Sequence, residues 1–264
     1  MKEICHKGFA RLVGTYGALP MEPEALEIII NASMEPDQID KEIFSKNVFY
    51  GAKWLYNHTS GAKELAVNYL RNAYDAHVND ESSWLRELGF AFHFITDWAT
   101  PHHSLNSNSN PLIGLTKTGA QLGGAIGGIS EPDKDSSKEL KGSLIGGGIL
   151  GLIGLIALPI SHSRFEYRCD KRWEKNTQLV TEFFRAKAEK AENNQLPEQL
   201  DLALDLFKKK MNNLRQLCEK LPFFWIDTCD NIEYANYMVE IALVMNFACQ
   251  IIMMNNRGES GAIG

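Results

Sequence analysis

Two pairs of histidine and carboxylate side chains have a spacing that could support chemistry. In ELGFAFHFITDWATPHHSLN, residues 87–106, His93 and Asp97 are four residues apart, and HSRFE places His162 four residues before Glu166. Residues four apart on a helix lie on one face, separated by one turn. An imidazole nitrogen and a carboxylate oxygen on the same face are suitable ligands for zinc.

A third histidine lies where the chain leaves the first of these helices. Pro101 ends the predicted helix, and His103 follows six residues after Asp97, so the departing chain could bring His103 to the same cluster. Together the two pairs and His103 could hold more than one ion. Paired metal ions suit the hydrolysis of phosphate esters, because they polarise phosphoryl oxygens and lower the pKa of a bridging water.

Less specific explanations exist for the same residues. A single histidine on an apolar helix face is more often a hydrogen-bonded core residue than a ligand, and Asp97 could be a carboxylate at a helix end. His77, in NAYDAHVND, is expected to face solvent at a helix end. The apolar residues around His93 and Asp97 are expected to pack about the site: Phe90, Phe92, Phe94, Ile95 and Trp98.

Most of the chain has the apolar spacing of amphipathic helices. Strand-like alternation is scarce, so we expect an all-α, multi-helix, bundle-like single domain over residues 1–264. Asn79 to Ser82 offers a capping start for the helix that carries His93. The predicted helices cover residues 23–33, 38–58, 62–78, 81–98 and, approximately, 165–193, 197–220 and 231–256.

Composition narrows the functional classes. With a net charge of −6 and a pI near 5.7, the chain is acidic, whereas nonspecific nucleic-acid binders carry an excess of basic residues. Five widely spaced cysteines without a CxxC pair indicate free thiols. The N-terminal stretch MKEICHKGFARLVG has no continuous apolar run, so we expect a cytoplasmic or peripheral membrane protein, or a secreted one if a leader was removed.

A glycine-rich apolar segment interrupts the helical pattern at residues 107–160. Twelve of the chain's 21 glycines lie between Leu112 and Ile160, and the tract 143–160 is uncharged over 18 residues. That length could cross a bilayer core as a helix, and glycines four residues apart allow close helix packing in lipid. A flexible loop and a buried hairpin are the alternatives. A charged strip, SEPDKDSSKELK, divides the segment and favours an interfacial hairpin over two crossings.

The spaced residues resemble the signature of the zinc-dependent phospholipase C family, which the fungal-type single-strand nucleases share in looser form. The signature YLGxxxHYxxDxxxPxH corresponds here to ELGFAFHFITDWATPHH. His162 and Glu166 match the HxxxE pair of the phospholipases, whereas the nucleases usually carry HxxxD. The positions in register are Leu88, Gly89, His93, Asp97, Pro101 and His103.

The resemblance implies an all-helical domain with up to three zinc ions in a cleft. His93 would bind the first ion and Asp97 would bridge the first and third. The second ion would be held by His103, His162 and Glu166. Further ligands would come from the N-terminal part, where the match is looser: His6, Asp37 and His58, with Asp37 also the candidate general base. For His6 and His58, an ordinary surface or core histidine is the competing interpretation.

The activity implied is phospholipase C-type hydrolysis, in which a metal-bound hydroxide attacks phosphorus and diacylglycerol leaves. The partners expected are a phospholipid substrate and a membrane surface, contacted through residues 112–160 at the mouth of the cleft; no nucleic acid is expected. Two alternatives stay open. One is a single-strand nuclease of the same fold, and the other is a non-catalytic membrane-associating protein that retains a partial zinc site.

Overall fold

The computed structural model describes residues 3–37, 58, 60–101, 164–190, 196–222 and 225–254, which form helices and turns without any strand. The predicted all-α fold is confirmed. The glycine-rich segment 107–160, His103, His162 and most of the predicted helix 38–58 lie outside the described residues. The helices are α1 (Glu3–Tyr16), α2 (Pro23–Ala32), α3 (Ala62–Val78), α4 (Trp84–Trp98), α5 (164–190), α6 (Leu200–Lys220), α7 (Trp225–Thr228) and α8 (Asn231–Ile252).

The bounds of α2, α3, α5, α6 and α8 lie close to the predicted ones, whereas α1 and the short α7 were not predicted. The start of α4 needs a correction. The Asn79–Ser82 segment does not cap this helix: its N-cap is Ser83, whose side chain makes no capping hydrogen bond. Asp80 instead adopts a positive φ of 57°, a conformation that aspartate tolerates better than most residues. The chain therefore turns sharply between α3 and α4, and the two helices pack extensively against each other.

Helix α8 forms the centre of the core. It is long and apolar enough to cross a membrane, with a mean hydropathy of 1.4, and is the only such helix in the described ranges, yet 83% of that apolar window is buried inside the protein. A helix that is apolar on all sides is typical of a buried core element. Its start is fixed by a capping box, in which Asp230 Oδ1 accepts from Glu233 N at 2.8 Å and Asp230 N donates to Glu233 Oε2 at 3.2 Å.

Helix α4 lies at the junction of the other helices and contacts α1, α2, α3, α6 and α8. Every residue from Leu88 to Trp98 is buried. Its approach to α2 depends on Gly89, because a Cβ there would lie 2.5 Å from Ala32 Cβ and 2.9 Å from the Ile29 carbonyl oxygen. The five apolar residues expected to pack around the site are all buried, as predicted.

All five cysteines are free and buried, which confirms the prediction of unpaired thiols. Burial raises the pKa of Cys218 to about 11 and that of Cys249 to about 12. A thiolate is the reactive form of cysteine, so these thiols are both shielded and protonated at neutral pH.

We therefore expect the native protein to react with less than one equivalent of a thiol reagent such as Ellman's reagent at pH 8. After unfolding in guanidinium, five equivalents should react, because exposure restores the ordinary thiol pKa. Titration of native and denatured samples measures both numbers. Rapid reaction of two or more thiols in the native state would contradict the buried placement.

Candidate metal centre

His93 and Asp97 lie on one face of α4, as the four-residue spacing predicts. His93 Nε2 is 3.1 Å from Asp97 Oδ2, and the side chains of the two residues are 0% and 4% exposed. Burying a carboxylate is costly unless it is paired or bound to a cation. The helix therefore places an imidazole nitrogen and a carboxylate oxygen side by side, where water cannot compensate for the charge.

The orientation of His93 is set by the end of α2. The ring nitrogen Nδ1 lies 2.9 Å from the carbonyl oxygen of Ser33, which follows the last residue of α2 and is fully buried. The last carbonyls of a helix lack partners within the helix, so this oxygen is available as an acceptor. A carbonyl oxygen cannot donate, so Nδ1 carries the proton and the neutral ring presents a lone pair at Nε2.

That lone pair faces the oxygen of Asp97, which is also an acceptor. Two acceptors in contact need a hydrogen atom or a cation between them, which a proton on the imidazole, a proton on the carboxyl group or a metal ion supplies. Metal-ligating histidines commonly donate their other ring nitrogen to a carbonyl or carboxylate in this way. The protonation pattern imposed by Ser33 is therefore the one that a metal ligand requires.

Three more predicted ligands converge on this pair from distant parts of the chain. His58 Nδ1 lies 2.5 Å from Asp97 Oδ2 and 3.4 Å from His93 Nε2. Asp37 Oδ1 is 3.9 Å from both His58 Nδ1 and His93 Nε2. The ring of His6 stacks on that of His93, with centroids 4.7 Å apart and an angle of 11°.

Two overlapping groups of ligand atoms fit a metal ion. The atoms of His58, His93 and Asp97 all lie within 4.8 Å of one another, and so do those of His6, Asp37 and His93. A tetrahedral zinc ion with bonds of about 2.05 Å has ligand atoms about 3.3 Å apart. The measured separations, from 2.5 to 3.9 Å, lie on either side of that value. The imidazole and carboxylate donors are therefore close enough to hold a metal ion, and zinc accepts ligands of these types.

The two groups share His93, and because its Nδ1 faces the Ser33 carbonyl oxygen, only the lone pair at Nε2 is left to bind one ion. The first ion therefore fits best between His58, His93 and Asp97, with Asp37 in reach of both imidazoles. The two carboxylates differ in environment, because the side chain of Asp37 is 27% exposed and that of Asp97 only 4%. Asp37 is the carboxylate that solvent reaches.

The C-terminal end of α4 is held by two side chains from other helices. Arg215 Nη1 on α6 donates to the Trp98 carbonyl oxygen at 2.8 Å, and the Tyr237 hydroxyl on α8 donates to the Ala99 carbonyl oxygen. The guanidinium also lies 4.1 Å from the centre of the Trp98 ring. Burial lowers the pKa of Arg215, which nevertheless stays positive and complements the negative end of the helix dipole. These contacts fix the turn that follows Asp97.

The N-terminal end of α1 is held by Asp170 of α5. Its carboxylate accepts hydrogen bonds from Cys5 N at 3.2 Å and Ile4 N at 3.4 Å, the amides that precede His6. The first amides of a helix lack partners within it, and a carboxylate satisfies them and complements the helix dipole. Burial raises the pKa of Asp170. Helix α5 thereby sets the position of His6, and Gly8 allows Trp173 of α5 to pack against α1.

Six of the eight predicted ligands lie in the described part of the chain. Five of them form the cluster, namely His6, Asp37, His58, His93 and Asp97. Glu166 is half-buried on α5 and joins neither group among the described residues. Its expected partners His103 and His162 lie outside them, so the second-zinc set stays a prediction. His77 is not solvent-facing as expected, since it is half-buried with its ring edge-on to Trp84.

The positioning residues were not identified from the sequence. Ser33 acts through its backbone carbonyl, so its side-chain type carries no signal. Arg215 and Tyr237 belong to helices more than a hundred residues away from α4. For Asp170 the sequence offered one indication of a role near the site: it lies one turn after Glu166, a predicted ligand, on the same helix face.

The chain was compared with protein-family models, curated proteins and solved structures, and none of them matches it. The case for a metal centre therefore depends on the geometry of its own side chains.

The substitution Gly89→Ala is expected to weaken both the fold and the metal centre. Alanine normally favours a helix over glycine by about 1 kcal/mol, but the added Cβ would push α2 away from α4 and carry Ser33 from His93. We expect a net loss of about 1–3 kcal/mol in the free energy of unfolding and a roughly tenfold weaker zinc affinity. Chemical denaturation and competition with a zinc indicator measure the two effects.

Asp75→Ala on the exposed surface of the neighbouring helix α3 is the matched control. It should leave zinc affinity unchanged and alter stability by less than about 0.5 kcal/mol. If Gly89→Ala behaved like this control, the close approach of α2 and α4 would not be positioning His93.

Proposed function

We propose that this protein is a metal-dependent phosphodiester hydrolase of the phospholipase C type, acting on phospholipids. The observation that supports the proposal best is the buried cluster of His58, His93 and Asp97 with Asp37 and His6 beside it. These are the residues that the motif resemblance nominated, drawn from four separate segments of the sequence. A chance core histidine would not need four further titratable side chains around it.

Zinc is the proposed metal, held by His58, His93 and Asp97 and by Asp37 where it reaches the same ion. When bound, such an ion polarises a phosphoryl oxygen and makes water a nucleophile at neutral pH. The protein's own contribution is to hold these ligands rigidly. Ser33 fixes the tautomer of His93, and the buried contacts at both ends of α4 keep His93 and Asp97 in register.

Asp37 is the proposed general base or water-orienting group. Its partial exposure lets it meet water and substrate, while Asp97 is enclosed and suited to a purely ligating role. Asp37 Oδ1 also lies 3.9 Å from a ring nitrogen of each imidazole, His58 Nδ1 and His93 Nε2. A carboxylate in this position could accept the proton of an attacking water.

The cluster favours an enzyme over a non-catalytic relic of a zinc site. A structural zinc ion is usually enclosed by four protein ligands, whereas a catalytic site keeps a position open for water or substrate. Here the fourth candidate ligand, the carboxylate of Asp37, is partly exposed to solvent. The choice of phospholipid over single-stranded nucleic acid is supported by the HxxxE spacing of His162 and Glu166 and by the acidic charge of the chain.

Hydrolysis of phosphatidylcholine by the zinc-loaded protein, with release of phosphocholine, tests the activity. A chelator should abolish release, and added zinc should restore it. Single-stranded DNA assayed beside the lipid decides between the two substrate classes. Turnover of DNA alone would replace the lipid proposal with the nuclease, and no turnover of either substrate by zinc-loaded protein would overturn the enzyme proposal.

Zinc counting tests the cluster without relying on activity. We expect at least one zinc ion per chain, and His93→Ala or Asp97→Asn should lower the apparent affinity on the order of a hundredfold or more, because loss of even an outer partner of a ligand typically costs roughly 10–100-fold. The matched control is His77→Ala, a half-buried histidine outside the cluster. Equal zinc affinity in all of these variants would show that His93 and Asp97 are not ligands.

The substitution Asp37→Asn tests whether Asp37 acts as a general base and not only as a metal ligand. Because an amide can still contact a metal through its oxygen but cannot accept a proton, we expect zinc content to persist while kcat falls roughly 10²–10⁴-fold. An unchanged kcat in Asp37→Asn would assign the base to another group.

A further inference from the structure

A stripe of cationic side chains runs along the first three turns of α5. The basic residues Arg164, Arg168, Lys171 and Lys175 recur at intervals of three or four, Tyr167 lies next to Arg168, and all five are exposed. This spacing places all five on one helix face. The side chains of Arg164, Arg168 and Lys171 are 58%, 51% and 48% exposed, and Tyr167 is 53% exposed. We call these five residues the α5 stripe.

The α5 stripe lies opposite the face of the helix that packs into the core. The residues of that inner face are all buried and follow the same period: Phe165, Cys169, Trp173, Val180 and Phe184. Burial of the inner face fixes the rotation of the helix about its axis. The stripe is therefore held outward by the core, and an exposed tyrosine among arginines and lysines is left in contact with solvent.

The carboxylates near the stripe only partly neutralise it. Among the described residues, Arg164 and Arg168 share the partner Asp227, at 3.3 and 3.4 Å, and Lys171 pairs with Glu174 at 2.9 Å. Exposed ion pairs of this kind contribute little, so the guanidinium groups can exchange a carboxylate for another anion at small cost. The stripe retains net positive charge in a chain whose overall charge is −6.

The cations are densest at one end of the helix. Farther along the same face, the exposed side chains are mixed in charge and include Glu182, Glu189 and a single arginine, Arg185. The cationic end is also the one closest in sequence to the apolar tract 143–160, which stops four residues before Arg164. Basic residues directly beside an apolar segment are the usual sequence pattern of contact with anionic lipid.

We propose that the α5 stripe is a docking surface for an anionic membrane. Arginine and lysine would contact the phosphates and carboxylates of acidic lipids, and arginine is suited to bidentate contacts with phosphate. Tyr167 would lie at the level of the headgroups, where an apolar ring with a polar hydroxyl is favoured. The surface consists of described residues alone and does not depend on the conformation of the apolar tract.

A lipid surface fits these features better than a nucleic acid does. Both partners present phosphates, but only a membrane offers an apolar layer directly beneath them. The apolar tract adjoining the stripe in sequence and the exposed ring of Tyr167 match that layering. The acidic character of the remaining chain opposes a long polyanion, whereas a flat bilayer needs to meet only one cationic face.

Flotation with lipid vesicles tests the surface in the full-length chain. Vesicles of phosphatidylcholine alone are compared with vesicles that also contain phosphatidylserine, at low and high salt. We expect tighter binding to the serine-containing vesicles, weakened by salt. The double variant Arg168→Gln/Lys171→Gln should bind them roughly twentyfold more weakly, since each cation near an anionic bilayer contributes about fivefold.

The matched control is Lys208→Gln/Lys209→Gln, which removes the same charge from an exposed part of α6. It should change vesicle binding by less than about twofold, and both double variants should keep the wild-type melting temperature. Equal losses in the two variants, equal binding to both vesicle types, or no loss in the α5 variant would overturn the proposal. Displacement from vesicles by single-stranded DNA at equal phosphate concentration would instead assign the surface to nucleic acid.

The surface does not depend on the proposed hydrolysis. Asp97→Asn, a variant in the metal cluster, should bind serine-containing vesicles as tightly as the wild type does. A chain that binds these vesicles but releases no phosphocholine would retain the membrane surface and lose the enzyme proposal. A chain that hydrolyses lipid with no preference for anionic vesicles would retain the enzyme proposal and lose the membrane surface.

Discussion

The hydrogen bond from His93 Nδ1 to the Ser33 carbonyl oxygen connects the packing of the fold to the chemistry of the cluster. The acceptor is one of the carbonyl oxygens at a helix C-terminus that have no partner within the helix. The bond fixes which nitrogen of His93 carries the proton. The bond exists only because α2 comes close enough to α4, which in turn requires that residue 89 have no side chain. The close packing of two helices thus determines the direction of a lone pair.

The same helix is secured at its other end by a different means. Arg215 and Tyr237 donate to the carbonyl oxygens of Trp98 and Ala99, and both donors are buried. Losing either donor would leave a buried carbonyl without its hydrogen bond, which costs more than the bond contributes when formed. Helices α6 and α8 therefore support the cluster although they contribute none of its ligands. The rigidity of the site is a property of the whole bundle.

The sequence predicted the parts of this arrangement that follow from a regular spacing of residues along a helix. Helices were identified because apolar residues recur every three or four positions, and His93 and Asp97 were paired because four residues make about one turn. The convergence of His6, Asp37 and His58 on that pair has no period, because it depends on tertiary packing between segments far apart in the chain. Those three residues were nominated by the motif resemblance alone. The contacts of Ser33, Asp170 and Arg215 involve backbone groups, which one sequence does not reveal.

The five clustered residues come from four segments within the first hundred residues, at positions 6, 37, 58 and 93–97. An ion bound among them ties these segments together and closes the chain loops between them. Because the preformed site exists only in the folded chain, the free energy of metal binding adds to the stability of the fold. In a protein whose five cysteines are all free, the metal would take the structural place that disulfide bonds occupy elsewhere.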